Sequence, residues 1–178
     1  VSSYFDLIES VHKNGHLLLR PDGSYSATGQ RYWNATDACC NIWNEDVDDV
    51  SWLTVLINEA ITYHGADPEG IILVGHSNGG FMAHRMACER GDMIRAAISL
   101  AGATYSDFND CQNTGHPNIL QIHGTLDSVI QYDGGSLFGG NYPSAPQTVN
   151  YWANRSECDA SLTLIDELDI ISPSGQND

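Results

Sequence analysis

Apolar positions first recur at Phe5, Leu7, Ile8 and Val11, a helical spacing closed by Gly15, and this predicts a short amphipathic helix over 5–14. His16-Leu17-Leu18-Leu19-Arg20 is a continuous apolar run ended by Pro21-Asp22-Gly23, which predicts a buried strand. From Ser24 to Asp46 the pattern dissolves into a polar, aromatic stretch holding Trp33, Cys39, Cys40 and Trp43. A loop that long in a compact domain is expected to be functional or cross-linked. Periodicity returns at Val50, Leu53, Ile57, Ala60 and Ile61, a helix over about 47–64. Asp46, Asp48 and Asp49 crowd its start, where acids suit the positive end of the helix dipole, and they lack the twelve-residue spacing of a calcium loop. Gly65-Ala66-Asp67-Pro68 breaks the helix; Ile71 to Val74 then predicts a strand, and Gly79 to Glu89 a helix in which Ala83 and Ala87 permit close packing. Ala96 to Leu100 and Asn118 to Ile122 predict two more strands, and a glycine-rich connection over 134–140 leads to a last helix over 144–155. This alternation predicts an α/β fold, a mostly parallel sheet with helices on both faces, in one domain over 1–178 with no internal repeat.

Composition narrows the class. A chain of 178 residues with 42% hydrophobic content supports one sizeable core. The net charge of −16, with Lys13 the single lysine against 23 acids, argues against nucleic acid and anionic membranes as partners, because their phosphates would be repelled. No apolar run approaches the length of a membrane span, and the opening Val1-Ser2-Ser3-Tyr4 carries no leader, so any signal peptide is expected to have been removed. Five cysteines without metal-ligand spacing read as disulfide partners in an oxidising compartment, with buried free thiols as the alternative. A secreted or salt-adapted protein fits these features.

The candidate chemistry lies in Val74-Gly75-His76-Ser77-Asn78-Gly79-Gly80, where an apolar run feeds a Gly-x-Ser-x-Gly sequence. A serine at a sharp strand-to-helix turn sits in a strained backbone conformation, and Gly75 and Gly79 give strand and helix room to pass. Ser77 is the candidate nucleophile, and the backbone N–H of Asn78, at the helix N-terminus, is the candidate oxyanion donor. Asp127, just past a predicted strand end on the same sheet edge, is the candidate acid; a plain turn aspartate is its alternative role, and Asp133 is the fallback. Trp33 either lines a substrate cleft or anchors a disulfide-tied loop.

Five motifs in order carry a family resemblance: Pro21-Asp22-Gly23, Trp33 to Cys40, Val47-Asp48-Asp49-Val50, Gly75 to Gly80, and His123-Gly124-Thr125-Leu126-Asp127. Together they resemble the polyhydroxybutyrate depolymerase and feruloyl esterase-like group of secreted α/β-hydrolases, over nearly the whole chain. The resemblance implies ester hydrolysis through a Ser-acid-His triad, with Ser77 as nucleophile and Asp127 as acid. It leaves the ester open among polyhydroxyalkanoates, hydroxycinnamoyl and acetyl esters of plant polysaccharides, and others. The reading requires no metal or cofactor.

No histidine follows Asp127 in the chain, although the fold order places the base there. His76 and His123 read as structural neighbours of the reactive groups. His84 lies about 10 Å along the helix from Ser77. His16 and His116 precede their strands and fall at the opposite sheet edge, and His12 and His64 belong to helix ends. The resemblance also implies a His-Gly oxyanion loop ahead of Val1. The base and the second donor are therefore expected outside these residues, and residues 1–178 alone are expected to be inactive. A non-catalytic relative or carbohydrate-binding module is the alternative. Adjacent Cys39 and Cys40 are expected to pair with Cys88 and Cys111 rather than with each other, leaving Cys158 alone; the resemblance suggests a partner for it further along.

Overall fold

The computed structural model describes residues 7–112, 115–158 and 163–165. Its centre is a three-stranded parallel sheet, β3 (Ile72–His76), β4 (Ala96–Leu100) and β5 (Asn118–Ile122), in sequential order. The strands run in step: Ile72, Ala96 and Asn118 align at one end, and His76, Leu100 and Ile122 at the other. Two small hairpins flank it in sequence, β1 (Ser24–Tyr25) with β2 (Arg31–Tyr32) and β6 (Gly135–Leu137) with β7 (Gly140–Tyr142). The helices are α1 (Leu7–Lys13), α2 (Asp49–His64), α3 (Asn78–Glu89) and α4 (Ala145–Arg155).

Local chemistry sets the helix ends. Asp48 caps α2 by accepting from the Ser51 N–H at 2.9 Å, and Gly65 closes it in the left-handed region at φ 72°. Ser144 and Gln147 form a reciprocal capping box at the start of α4. The acids before α2 therefore do divide the work: Asp48 caps, whereas Asp49 is buried and braces the preceding loop.

Sheet pleating sends Leu73, Ala97 and Ile119 to one face, where they meet Ala83, Ala87 and Cys88 of α3 and Tyr151 and Trp152 of α4. A second cluster joins Val50 and Ile57 of α2 to Phe81, Met82 and Met86 of α3, with Ala35, Ala38 and Cys39 from the long loop. Helix α3 belongs to both clusters and sits on β3 and β4. The opposite face of the sheet presents Ile72, Leu120 and Ile122, all exposed.

The structure corrects two sequence expectations. His16 to Arg20 does not form a strand, and Leu17 and Leu19 are 54% and 46% exposed. An apolar run without a neighbouring strand has no ladder to join. The first helix is described only from Leu7, so the expectation for Phe5 falls outside the described residues. The cysteine scheme also changes: Cys39 and Cys40 are bonded to each other across a cis peptide, and Cys88 pairs with Cys111. Cys39 packs in the cluster under α2, whereas Cys88 and Cys111 lie together in the cluster under α4, their Cα atoms 5.1 Å apart. The two halves of the expected scheme thus sit in different cores. Cys158 is free and exposed, as anticipated. Among the described residues, no helix is long and apolar enough to cross a membrane.

Two stability experiments follow from this packing. The Cys88–Cys111 bridge closes a loop with a sequence separation of 23, and its removal in Cys88→Ala/Cys111→Ala should cost about 3 kcal/mol in urea unfolding. His84 is 1% exposed, and burial pushes its imidazole from 6.5 down to about 4, against the opposing hydrogen bond it donates to Gln121. The unfolded chain takes up this proton below about 6.5 and the folded chain only near 4, so the contribution is whole above 6.5 and is lost on the way down to 4. The loss is about 3 kcal/mol. Urea unfolding at pH 7.5 and pH 4 should show this increment in the parent and not in His84→Gln.

Candidate active site

Strand β3 runs directly into Ser77, whose backbone adopts φ 52° and ψ −119° before α3 begins at Asn78. A non-glycine residue there costs about 1–3 kcal/mol of strain and persists only where its surroundings hold it in place. Here they do. The Ser77 N–H donates to the Leu100 carbonyl of β4 at 2.8 Å, and its carbonyl accepts from the N–H groups of Gly80 and Phe81 at 2.8 and 3.0 Å. Close approach of helix and sheet depends on missing side chains: a Cβ on Gly75 would run into the Gly79 carbonyl, and one on Gly80 would come within 2.8 Å of Ser99 Oγ. The Ser77 hydroxyl makes no capping bond to the helix it precedes, and the residue is half-buried at the edge where the strands end.

Asn78 contributes more than its backbone. Its side chain forms a reciprocal pair with Trp33, accepting from the Trp33 N–H at 2.7 Å and donating to the Trp33 carbonyl at 2.9 Å. Its amide nitrogen also lies 3.5 Å from Cys39 Sγ. The long loop is thereby fastened to the residue following Ser77, and both expectations for Trp33, cleft wall and loop anchor, concern one position beside the elbow. Asp49 fixes the same loop from below, accepting from Asn34 N–H at 2.6 Å and Ser24 Oγ at 3.4 Å. Desolvation raises the Asp49 carboxyl above its usual range, opposed by these bonds and by Arg85. Arg85 of α3 donates to the carbonyls of Asn34 and Ala35 and pairs with Glu89 at 2.7 Å. A cleft of about 190 Å³ opens along the loop, lined by Thr36, Asp37, the Cys39–Cys40 pair and Phe138 among others.

The in-step register sends Ser77 and His123 off the same sheet edge from β3 and β5, roughly 10 Å apart at the usual strand spacing. Asp127 follows in a tight turn. Its Oδ1 accepts from the N–H groups of Val129 and Ile130 at 2.9 and 3.0 Å. The Val129 bond, then the Ile130 bond and the imidazoles of His123 and His76, hold this carboxyl below the usual carboxylate range against a small desolvation. Asp127 is thus a turn aspartate by one oxygen, while Oδ2 lies 3.9 Å from His123 Nε2, too far for a hydrogen bond. Asp133 is exposed in the turn before β6.

The described histidines divide between core and surface, and His16 directly precedes no strand. His84 is enclosed in the core, with its ring stacked on Trp152, and His16, His64, His76 and His116 are exposed. The His123 side chain is buried and donates to the Ile130 carbonyl at 2.7 Å. His12 lies in α1. Among the described residues no histidine hydrogen-bonds to Ser77. Sequence reasoning missed the side-chain roles of Asn78, Asp49, Arg85 and Gln121. Asn78 and Asp49 each stood inside a motif already singled out, and an amide directly after the nucleophile was the available signal.

Residues 45–154 match the family model described as Phospholipase/Carboxylesterase. The chain is 32% identical over 153 residues to feruloyl esterase B of Piromyces equi, covering 82% of this chain and 27% of that protein. It is 29% identical over 111 residues to the protein named Probable feruloyl esterase C of Aspergillus niger, covering 60% of this chain and 40% of that one. A bifunctional acetylxylan esterase/xylanase of Neocallimastix patriciarum is 23% identical over 154 residues, covering 83% of this chain and 21% of that protein. The chain therefore spans between 21% and 40% of the length of these relatives. The elbow on a parallel sheet, with helices packed against it, agrees with the matched region, and the chain belongs to the phospholipase/carboxylesterase family of α/β-hydrolases.

Proposed function

We propose that this chain forms the nucleophile-bearing part of a secreted carboxylic ester hydrolase. In this reading Ser77 attacks the ester carbonyl, the Asn78 N–H receives the developing oxyanion, and Asp127 orients a histidine base drawn from outside the described residues. The base takes the Ser77 proton and returns it to the leaving alcohol, and water then releases the acid from the acyl-enzyme. The observation that carries the reading is Ser77 itself, held at φ 52° between β3 and α3 by three backbone hydrogen bonds. A strained serine at the mouth of a helix N-terminus suits nucleophilic attack and gives the core nothing in return.

The relatives' names favour feruloyl and acetylxylan esters, and polyhydroxyalkanoate-type polyesters are a further substrate class consistent with the sequence motifs. Trp33, tied to Asn78, would form a wall for the acyl group. Two disulfides and the acidic surface support an extracellular setting.

The native polypeptide should be labelled stoichiometrically at Ser77 by a fluorophosphonate and should hydrolyse p-nitrophenyl butyrate. Ser77→Ala should lose both, with thermal stability close to that of the parent, and Ser77→Gly should lose both while gaining about 1 kcal/mol by release of the strain. Full turnover by Ser77→Ala would end the triad reading. A folded native protein that refuses the probe would favour a binding module instead.

A further inference from the structure

The structure carries a polar chain through its core that the proposed chemistry does not use. It begins at Trp152 of α4, whose indole nitrogen can only donate. That nitrogen lies 3.1 Å from His84 Nδ1, in buried surroundings, so Nδ1 must carry a lone pair and the His84 proton must sit on Nε2. Nε2 lies 2.9 Å from Gln121 Oε1, which fixes the orientation of the Gln121 amide. Its NH2 group then donates to the Gly102 carbonyl at 2.8 Å and to His123 Nδ1 at 3.2 Å. His123 in turn keeps its proton on Nε2, 2.7 Å from the Ile130 carbonyl. Reversing any one link would set two donors or two acceptors face to face.

The far end of this chain is the Asp127 turn. Ile130 is buried and is gripped on both sides of its backbone, its carbonyl by His123 and its N–H by Asp127 Oδ1. We propose that the one-way relay Trp152 to His84 to Gln121 to His123 to the Ile130 carbonyl holds the turn that aims the Asp127 carboxylate, making His84, Gln121 and His123 positioning residues for that acid. The kinetic part of this proposal rests on the ester-hydrolase reading; the relay itself does not. His123 is kept from the reaction by the same bond that makes it useful, since its only ring proton is committed to a backbone carbonyl. A neutral His84 suits the relay, because an imidazolium would point a second proton at the Trp152 N–H.

The test uses the native polypeptide labelled with 15N-histidine. Long-range 15N–1H correlation at pH 7 should show both His84 and His123 as neutral Nε2–H tautomers; an Nδ1–H tautomer or an imidazolium at either would overturn the relay. Gln121→Leu, close in size and unable to hydrogen-bond, should speed amide hydrogen exchange at Ile130 at least tenfold and leave His123 in mixed tautomers. It should lower kcat by about 10²-fold with KM little changed, as expected for a misaimed catalytic group. His123→Phe should behave alike, whereas His123→Gln, whose amide N–H can replace Nε2–H toward Ile130, should recover the slow exchange and most of kcat. A rescue that fails in exchange, or a Gln121→Leu protein with parental exchange at Ile130, would refute the positioning role even in a protein with no esterase activity. Loss of activity in the parent itself would instead count against the ester-hydrolase reading.

Discussion

The close seating of α3 on the sheet is the constraint from which the rest of the site descends. Gly75, Gly80 and Gly102 meet where β3, β4 and α3 converge, and a Cβ at any of the three would strike backbone or the Ser99 hydroxyl. With those side chains absent, Ser77 can turn from strand to helix within three backbone hydrogen bonds. The same seating lets Ala83, Ala87 and Cys88 reach the sheet on one side of the helix while Phe81, Met82 and Met86 face α2 on the other. One short helix thus joins two cores, and displacement of either would be felt at its first residue.

The long loop shows how a polar segment gains order without a strand ladder of any length. Its brackets are the Asn78 amide, the buried Asp49 carboxylate and the Arg85 guanidinium, each satisfying backbone groups of residues 33–35. Burying Asp49 is unfavourable by itself, as the rise in its pKa records, and the charge-assisted bonds to Asn34 and Ser24 offset that cost. The loop is attached to the helix that carries the candidate chemistry, so that Trp33 and the Cys39–Cys40 pair are placed relative to Ser77 by side chains of α3.

Most of the regular fold was legible because its signals were local. The three sheet strands and the helices over α2, α3 and α4 appeared within a residue or two of the predicted bounds, since caps and periodicity are written in consecutive residues. His16 to Arg20 misled because an apolar run says nothing of whether a partner strand lies beside it. The small hairpins at 24–32 and 135–142 escaped because two- and three-residue strands have no measurable alternation. The cysteine pairing depended on which core each residue enters, a property of tertiary packing. Ser77 and Asp127 could be proposed from motif and order, whereas the Asn78 clamp and the relay through Gln121 are contacts across 45 and 37 positions of sequence that no local pattern reports.

The geometry at Asp127 also bears on the acid role proposed for it. An acid that orients an imidazole must stay ionised while that imidazole gains and loses a proton. Two backbone N–H groups on Oδ1 achieve this by favouring the charged form, which is the direction of its shift. They also tie Oδ1 to the turn and leave Oδ2 outside those two bonds. The buried His123 Nε2 lies 3.9 Å from that oxygen, yet its proton is spent on Ile130. Oδ2 is therefore the oxygen that could receive a bond from an imidazole approaching over the sheet edge, and the proposed mechanism needs no rearrangement of the turn to make it.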